Sequence, residues 1–140
     1  MSEETSSLPP FAEGVFTLPP YEQHLPALLG GWCAQCNHYY FPRPRYCRRC
    51  LEPTAQITLG TEGTLYSYTV IRTKAPLGLP LPYGVGYIDL KESGLRIFCL
   101  LDPAALARLK VGHPVKLEVG PLGYDQKGTP CLRPYFTPME

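Results

Sequence analysis

Cys33-Ala-Gln-Cys36-Asn-His-Tyr-Tyr-Phe-Pro-Arg-Pro-Arg-Tyr-Cys47-Arg-Arg-Cys50 is the stretch that decides the fold. Each Cys-x-x-Cys pair lets two sulfurs from one tight turn reach the same tetrahedral ion. Two pairs close a four-thiolate shell, with sulfurs about 2.3 Å from a zinc. A closed shell has no position open to water or substrate, so Cys33, Cys36, Cys47 and Cys50 read as ligands of a structural ion. Disulfides or unbonded core cysteines are the alternative readings. Zinc fits better than iron because nothing in the sequence points to electron transfer, although four thiolates accept either. Arg43, Arg45, Arg48 and Arg49 surround the site. They either offset the charge of the thiolates or form an anion patch for a phosphate-bearing ligand.

Outward from the cysteines, 17 prolines and 13 glycines in 140 residues oppose long helices and favour short strands and turns. The pattern divides the chain into a proline-rich N-terminal arm (1–29), a ribbon (30–56) and a strand-rich region (57–140). Phe11, Val15, Phe16 and Leu18 make the arm too apolar for a free tail. Thr64–Ile71, Tyr83–Leu90, Leu95–Leu101, Val115–Val119 and Cys131–Phe136 read as strands. Asp102–Leu109 reads as the one short helix, capped by Asp102 with Pro103 in its first turn. Gly120–Pro130 reads as turn-rich. Five short strands with a helix before the fourth fit a small closed β-barrel of OB type.

A net charge of +1 gives no bulk case for nucleic-acid or membrane binding. No segment approaches about 18 continuous apolar residues. The polar start Met1-Ser-Glu-Glu-Thr lacks the basic and apolar parts of a secretory signal, which favours a cytoplasmic setting. Cys99 and Cys131 lie in apolar runs and read as small buried hydrophobes. His24, His38 and His113 stand apart from any nucleophile or acid. Asp89, Glu92, Asp102 and Glu118 are scattered over turns and strand edges. There is no phosphate loop and no nucleophile elbow. The chain is not expected to be catalytic alone.

The ordered set Gly31-Trp-Cys33, Tyr40-Phe-Pro-Arg43, Cys47-x-x-Cys50, Gly60-Thr-Glu-Gly63-Thr-Leu-Tyr-Ser-Tyr-Thr-Val70, Pro82-Tyr-Gly-Val-Gly-Tyr-Ile88 and Val111-Gly-His-Pro-Val115 resembles the zinc-ribbon/OB-fold proteins associated with acyl-CoA metabolism. The resemblance covers about residues 30 to 137. It implies a rubredoxin-like ribbon followed by an OB barrel. It also implies a non-catalytic partner of thiolase-fold enzymes, aromatic-acid degradation among them, that completes or bridges the assembly near its CoA site. The sequence departs from the family's pattern after each cysteine pair. Asn37 and Leu51 stand where glycine is usual. The arm is proline-rich where many relatives have a helix, so a partner contact through that helix does not carry over.

An accessory subunit of a thiolase-type acyl-CoA enzyme is therefore the leading reading, with CoA or acyl-CoA at a shared site and the arginines as its phosphate contacts. Tyr39, Tyr40, Phe41 and Pro42 on the ribbon are docking candidates, as are Leu77, Leu79, Leu81 and Tyr83 on the loop. Ordinary core packing is the competing explanation for them. A second class is a single-stranded nucleic-acid module stacking bases on Tyr66, Tyr68 and Tyr87, which the near-neutral charge opposes. A third is a free-standing acyl-CoA carrier.

Overall fold

The computed structural model describes residues 8–17 and 26–139. Strand β1 (Leu29–Cys33) carries the first metal-site cysteine at its end. It pairs antiparallel with β2 (His38–Tyr40) and with β3 (Ala55–Thr58), giving a sheet of order β2-β1-β3. Strands β4 (Glu62–Ile71), β5 (Tyr83–Leu90), β6 (Arg96–Leu101), β7 (Pro114–Tyr124) and β8 (Pro130–Pro138) close a barrel in the order β4-β5-β6-β8-β7. The fold is mainly β, as expected for an OB barrel.

The alternation of apolar and polar residues sets which side of each strand faces the core. On β7, Val115 and Leu117 are buried while Pro114 and Lys116 are exposed. On β4, Gly63 and Leu65 face inward and Thr64, Tyr66 and Tyr68 outward. Gly63 has a steric reason to be glycine: a Cβ there would meet the Asp89 carbonyl oxygen at 2.6 Å. The core gathers Leu65, Ile88, Ile97, Leu101, Val115, Leu132 and Phe136 inside the barrel, with Leu28 and Leu59 closing it toward the ribbon. Tyr39, Phe41 and Ile57 of the ribbon pack on this same core. Ribbon and barrel thus share one apolar interior.

Three expectations need correction. The helix over 102–109 shrinks to a single 3-10 turn, Leu106–Arg108. Asp102 does not cap it: the N-cap is Ala105, which has no side-chain cap bond, and the Asp102 carboxylate instead accepts the Ala104 N–H at 2.9 Å in a turn just before it. The following bonds run three residues back, Ala105 to Asp102 and Arg108 to Ala105. Eight residues cannot nucleate an α-helix unaided, and burying Ala105 and Leu109 in the barrel fixes the tighter path. β7 continues to Tyr124 through the segment read as turns. A bulge between Pro121 and Tyr124, with Gly123 at φ 61°, lets the ladder cross it. β3 was not expected at all. Its four residues between Pro53 and Gly60 are too short to show a period.

The arm follows no helix in its described part. Phe11 donates its N–H to the Leu132 carbonyl at 2.9 Å and Leu132 donates to Pro9 at 2.8 Å, so the arm pairs in parallel with β8. Phe16 is buried beneath it. Leu18 and His24 lie outside the described residues. No helix among the described residues is long and apolar enough to cross a membrane.

Phe136 is fully buried where β8 meets both Leu101 and Leu117 in register. Phe136→Ala is expected to cost about 3–5 kcal/mol, measured by urea unfolding. A loss below about 1 kcal/mol would contradict the barrel core described.

Candidate metal centre

The two cysteine turns face one another across the end of the ribbon. Cys33 leaves β1, Cys36 completes the first turn, and the loop 41–46 returns the chain to Cys47 and Cys50. The four Sγ atoms lie within 4.8 Å of one another. Cys33 and Cys50 sulfurs are 3.5 Å apart and those of Cys36 and Cys47 are 3.8 Å apart. A disulfide would need about 2.05 Å, so these are free thiols gathered around a point. Sulfurs about 2.3 Å from a tetrahedral ion stand ~3.8 Å from each other. The four cysteines therefore fit one metal ion with no vacant coordination position.

Both turns need a left-handed residue directly after the second cysteine. Asn37 has φ 51° and Leu51 has φ 64°. Asn tolerates this region, whereas a leucine there carries a steric cost of about 1–2 kcal/mol. Leu51 is 72% exposed, so burial of its side chain does not compensate.

Hydrogen bonds hold the second turn in place. The Arg48 N–H donates to the Tyr40 Oη at 3.2 Å. That leaves the Tyr40 hydroxyl proton for the Cys47 sulfur, 3.3 Å away. The Arg49 N–H reaches the same sulfur at 3.4 Å. Without an ion, the Tyr40 bond and those of the Cys50 and Arg49 N–H groups hold the Cys47 thiol down to about 5. Cys36 is pushed up to about 12, first by its bond with Cys50 and then by burial. Metal binding must therefore displace protons from the site, and acid must release the ion.

The arginines separate by role. Arg43 is committed to the ribbon: its Nε reaches Thr54 Oγ1 at 3.3 Å and its terminal nitrogen donates to the Thr54 carbonyl at 2.7 Å. Buried Thr54 in turn donates to the Pro44 carbonyl. Arg45, Arg48 and Arg49 are exposed, and their side chains form no ion pair among the described residues. The docking candidates split similarly. Tyr39, Tyr40 and Phe41 are half-buried and Pro42 is exposed; on the loop, Leu79 and Tyr83 are half-buried while Leu77 and Leu81 are exposed. Phe41 and Pro42 border a groove with Phe98 and Leu100, and Leu79 and Tyr83 share a cleft with that same Leu100. Leu100 is the one residue the two share, and Tyr39, Tyr40, Leu77 and Leu81 line neither.

Of the other residues weighed, burial pushes the Cys99 thiol up to about 12, and Cys131 is fully buried beside the Leu122 carbonyl. Neither is poised as a nucleophile. His38 packs edge-on against Tyr40, and His113 is exposed on a turn. Asp89 forms a two-pronged bond with Arg96 at 2.7 and 3.2 Å, and that guanidinium lies 3.4 Å over the Tyr66 ring. Sequence reading missed this stack, which only the β5–β6 register reveals. It also missed Arg133, buried with its guanidinium donating to the Leu122 and Tyr124 carbonyls at 3.1 and 2.7 Å.

Cys50→Ser is expected to abolish metal retention and loosen the ribbon, read by elemental analysis and amide exchange. Retention of one ion per chain with native exchange would contradict the four-sulfur site. Leu51→Gly is expected to stabilise the chain by about 0.5–1 kcal/mol by removing the left-handed strain, measured by denaturant unfolding. A loss of stability would show that the turn is not strained.

Comparison with known proteins agrees with this architecture. The family described as "ChsH2, C-terminal OB-fold domain" matches residues 56–120. The benzoylsuccinyl-CoA thiolase subunit BbsA of Thauera aromatica is 32% identical over 114 residues, covering 81% of this chain and 77% of that protein. Among solved structures, the Ltp2-ChsH2(DUF35) aldolase superposes with a TM-score of 0.63 at 26% identity, covering 80% of this chain and 84% of the other. At this identity and coverage the chain belongs to the same family as BbsA, a family of OB-fold proteins related to the C-terminal domain of ChsH2.

Proposed function

We propose that this chain is a non-catalytic accessory subunit that docks on a thiolase-type acyl-CoA enzyme and helps complete or cover its CoA-substrate site. The observation that carries this reading is the relationship to a thiolase subunit across four-fifths of the chain. The similarity to the Ltp2-ChsH2(DUF35) aldolase structure supports it. The chain's own chemistry agrees. Its four cysteines leave no open coordination position, Asp89 is tied to Arg96, and Asp102 and Asp125 are tied to turns. The nucleophile and the acid/base residues of acyl-CoA thiolysis or condensation then belong to the partner.

In this reading the four cysteines hold a structural zinc. The ion fixes the ribbon so that Tyr40, Phe41 and Pro42 are presented at a constant angle to the barrel. Arg45, Arg48 and Arg49 stand free beside the site to meet CoA phosphates, while Arg43 secures the loop through Thr54. The aromatic face of β4 and β5 is poorly suited to nucleic acid. Arg96 already covers Tyr66 and is neutralised by Asp89, and Tyr68 donates its hydroxyl to the Leu109 carbonyl at 3.2 Å.

Co-expression with a thiolase-type subunit from the same genome, followed by native mass measurement, is expected to give a hetero-oligomer containing one zinc per copy of this chain. Calorimetry with CoA should show no heat for the isolated chain and binding for the assembly. Tight CoA binding by the chain alone would support the free-standing carrier instead. Failure to assemble with any thiolase-type subunit would overturn the proposal. Arg48→Glu/Arg49→Glu is expected to raise the assembly's KM for CoA about 3–10-fold with kcat little changed, the pattern of lost uniform binding.

A further inference from the structure

We propose that the split between β6 and β8 receives an extended, apolar segment of the partner enzyme, which adds a strand to the free edge of β6. The inference rests on the accessory-subunit reading and names the surface that it uses. β6 is in register with β8 only at Leu100↔Tyr135 and Leu101↔Phe136. Among the described residues, Arg96–Cys99 have ladder partners on the β5 side alone. The opposite lip of the split is already treated in this way by the chain itself. Pro9–Phe11 adds in parallel to β8 at Leu132 with both hydrogen bonds formed. Among the described residues, the arm covers the β8 lip and nothing pairs with the β6 lip at 96–99. An open edge beside an apolar surface is what strand addition requires.

Between the lips lies a groove of about 410 Å³, walled by Phe11, Phe41, Pro42, Val85, Phe98 and Pro134. Its one charged wall residue is Arg133, whose nitrogens are occupied by the Leu122 and Tyr124 carbonyls and whose guanidinium lies 4.9 Å from the Phe11 ring. The groove therefore has no free charge for a phosphate chain, and its lining matches aliphatic or aromatic side chains. Phe98 stands at the lip, 57% exposed, against an exposed Tyr87 ring 5.1 Å away. A projecting aromatic beside a pocket is the kind of group that anchors an interface. Leu100 lines both this groove and a separate cleft beside Leu79 and Tyr83. The terminal residues 1–7 are polar and include Glu3 and Glu4, so they do not suit this lining. Four or five extended residues of the partner would span about 13–17 Å along β6.

The test uses the full, metal-loaded chain and the thiolase-type subunit with which it assembles. A photo-crosslinking p-benzoylphenylalanine replaces Phe98, and Phe98→Glu is compared with Val111→Glu, a change at an exposed turn on the barrel. The crosslinked peptide is expected to be an apolar segment of the partner. Amide exchange at 96–99 should slow at least tenfold on assembly. Phe98→Glu should raise Kd at least tenfold, with Val111→Glu unchanged and both variants melting like the parent. Crosslinks to residues 18–25 of the same chain, or to a second copy, would overturn the proposal. So would a complex that forms normally with Phe98→Glu. Lost affinity without slowed exchange at 96–99 would overturn strand addition. In each of these cases the accessory-subunit reading stands. If the unmodified chain forms no complex, that reading fails and this inference with it.

Discussion

Four thiol sulfurs held within 4.8 Å of one another are the constraint on which the ribbon depends. The ribbon's own sheet has strands of five, three and four residues, too few to stand alone. An ion bound by all four cysteines joins the two turns that the sheet does not connect. The loop between them is then drawn back over the barrel, where Tyr39 and Phe41 reach the apolar core. Tyr40, at the end of β2, holds the second turn through Cys47 and Arg48. An ion held by these four sulfurs would brace the side of the molecule that carries Phe41 and Pro42, with no coordination position left for chemistry.

The barrel supplies the other half of the surface. Its closure is uneven: β7 and β8 pair along most of their length, while β6 meets β8 over two positions. The arm fills part of the opening, and burying Arg133 against backbone carbonyls allows an apolar groove to form where a cation would otherwise dominate. The ribbon, the arm, β6 and β8 all contribute to the walls of that groove. The ribbon that carries the cysteine turns thus also supplies Phe41 and Pro42 to the groove lined by Phe98.

Much of this was legible in the sequence because it rests on local spacing. The paired Cys-x-x-Cys turns announce a shared ion, and alternating patterns in Val115–Val119 and Tyr83–Leu90 announce barrel strands. The departure at Asn37 marked a position that adopts a left-handed backbone, whereas the Leu51 departure suggested a differently shaped turn and Leu51 is left-handed all the same. What could not be read depends on long-range pairing. The helix expected from Asp102–Leu109 carried a capping residue in sequence but yielded to the burial of Ala105 and Leu109, and Asp102 holds only the turn before it. β3 exists only because β1 offers it an edge. The groove, the Arg96–Tyr66 stack and the buried Arg133 each join residues distant in sequence, and no period or motif encodes them. Arg43 looked equivalent to its neighbours until Thr54 was seen beneath it.

The central claim is that the chemistry resides in a partner and that this chain completes the assembly. Thiolysis of an acyl-CoA by the thiolase-type subunit alone, by this chain alone and by the mixture tests it most directly. The account predicts no turnover by this chain alone and full activity only when both are present. Turnover by the isolated chain would contradict it, and so would a thiolase-type subunit whose rate and KM are unchanged by this chain's addition.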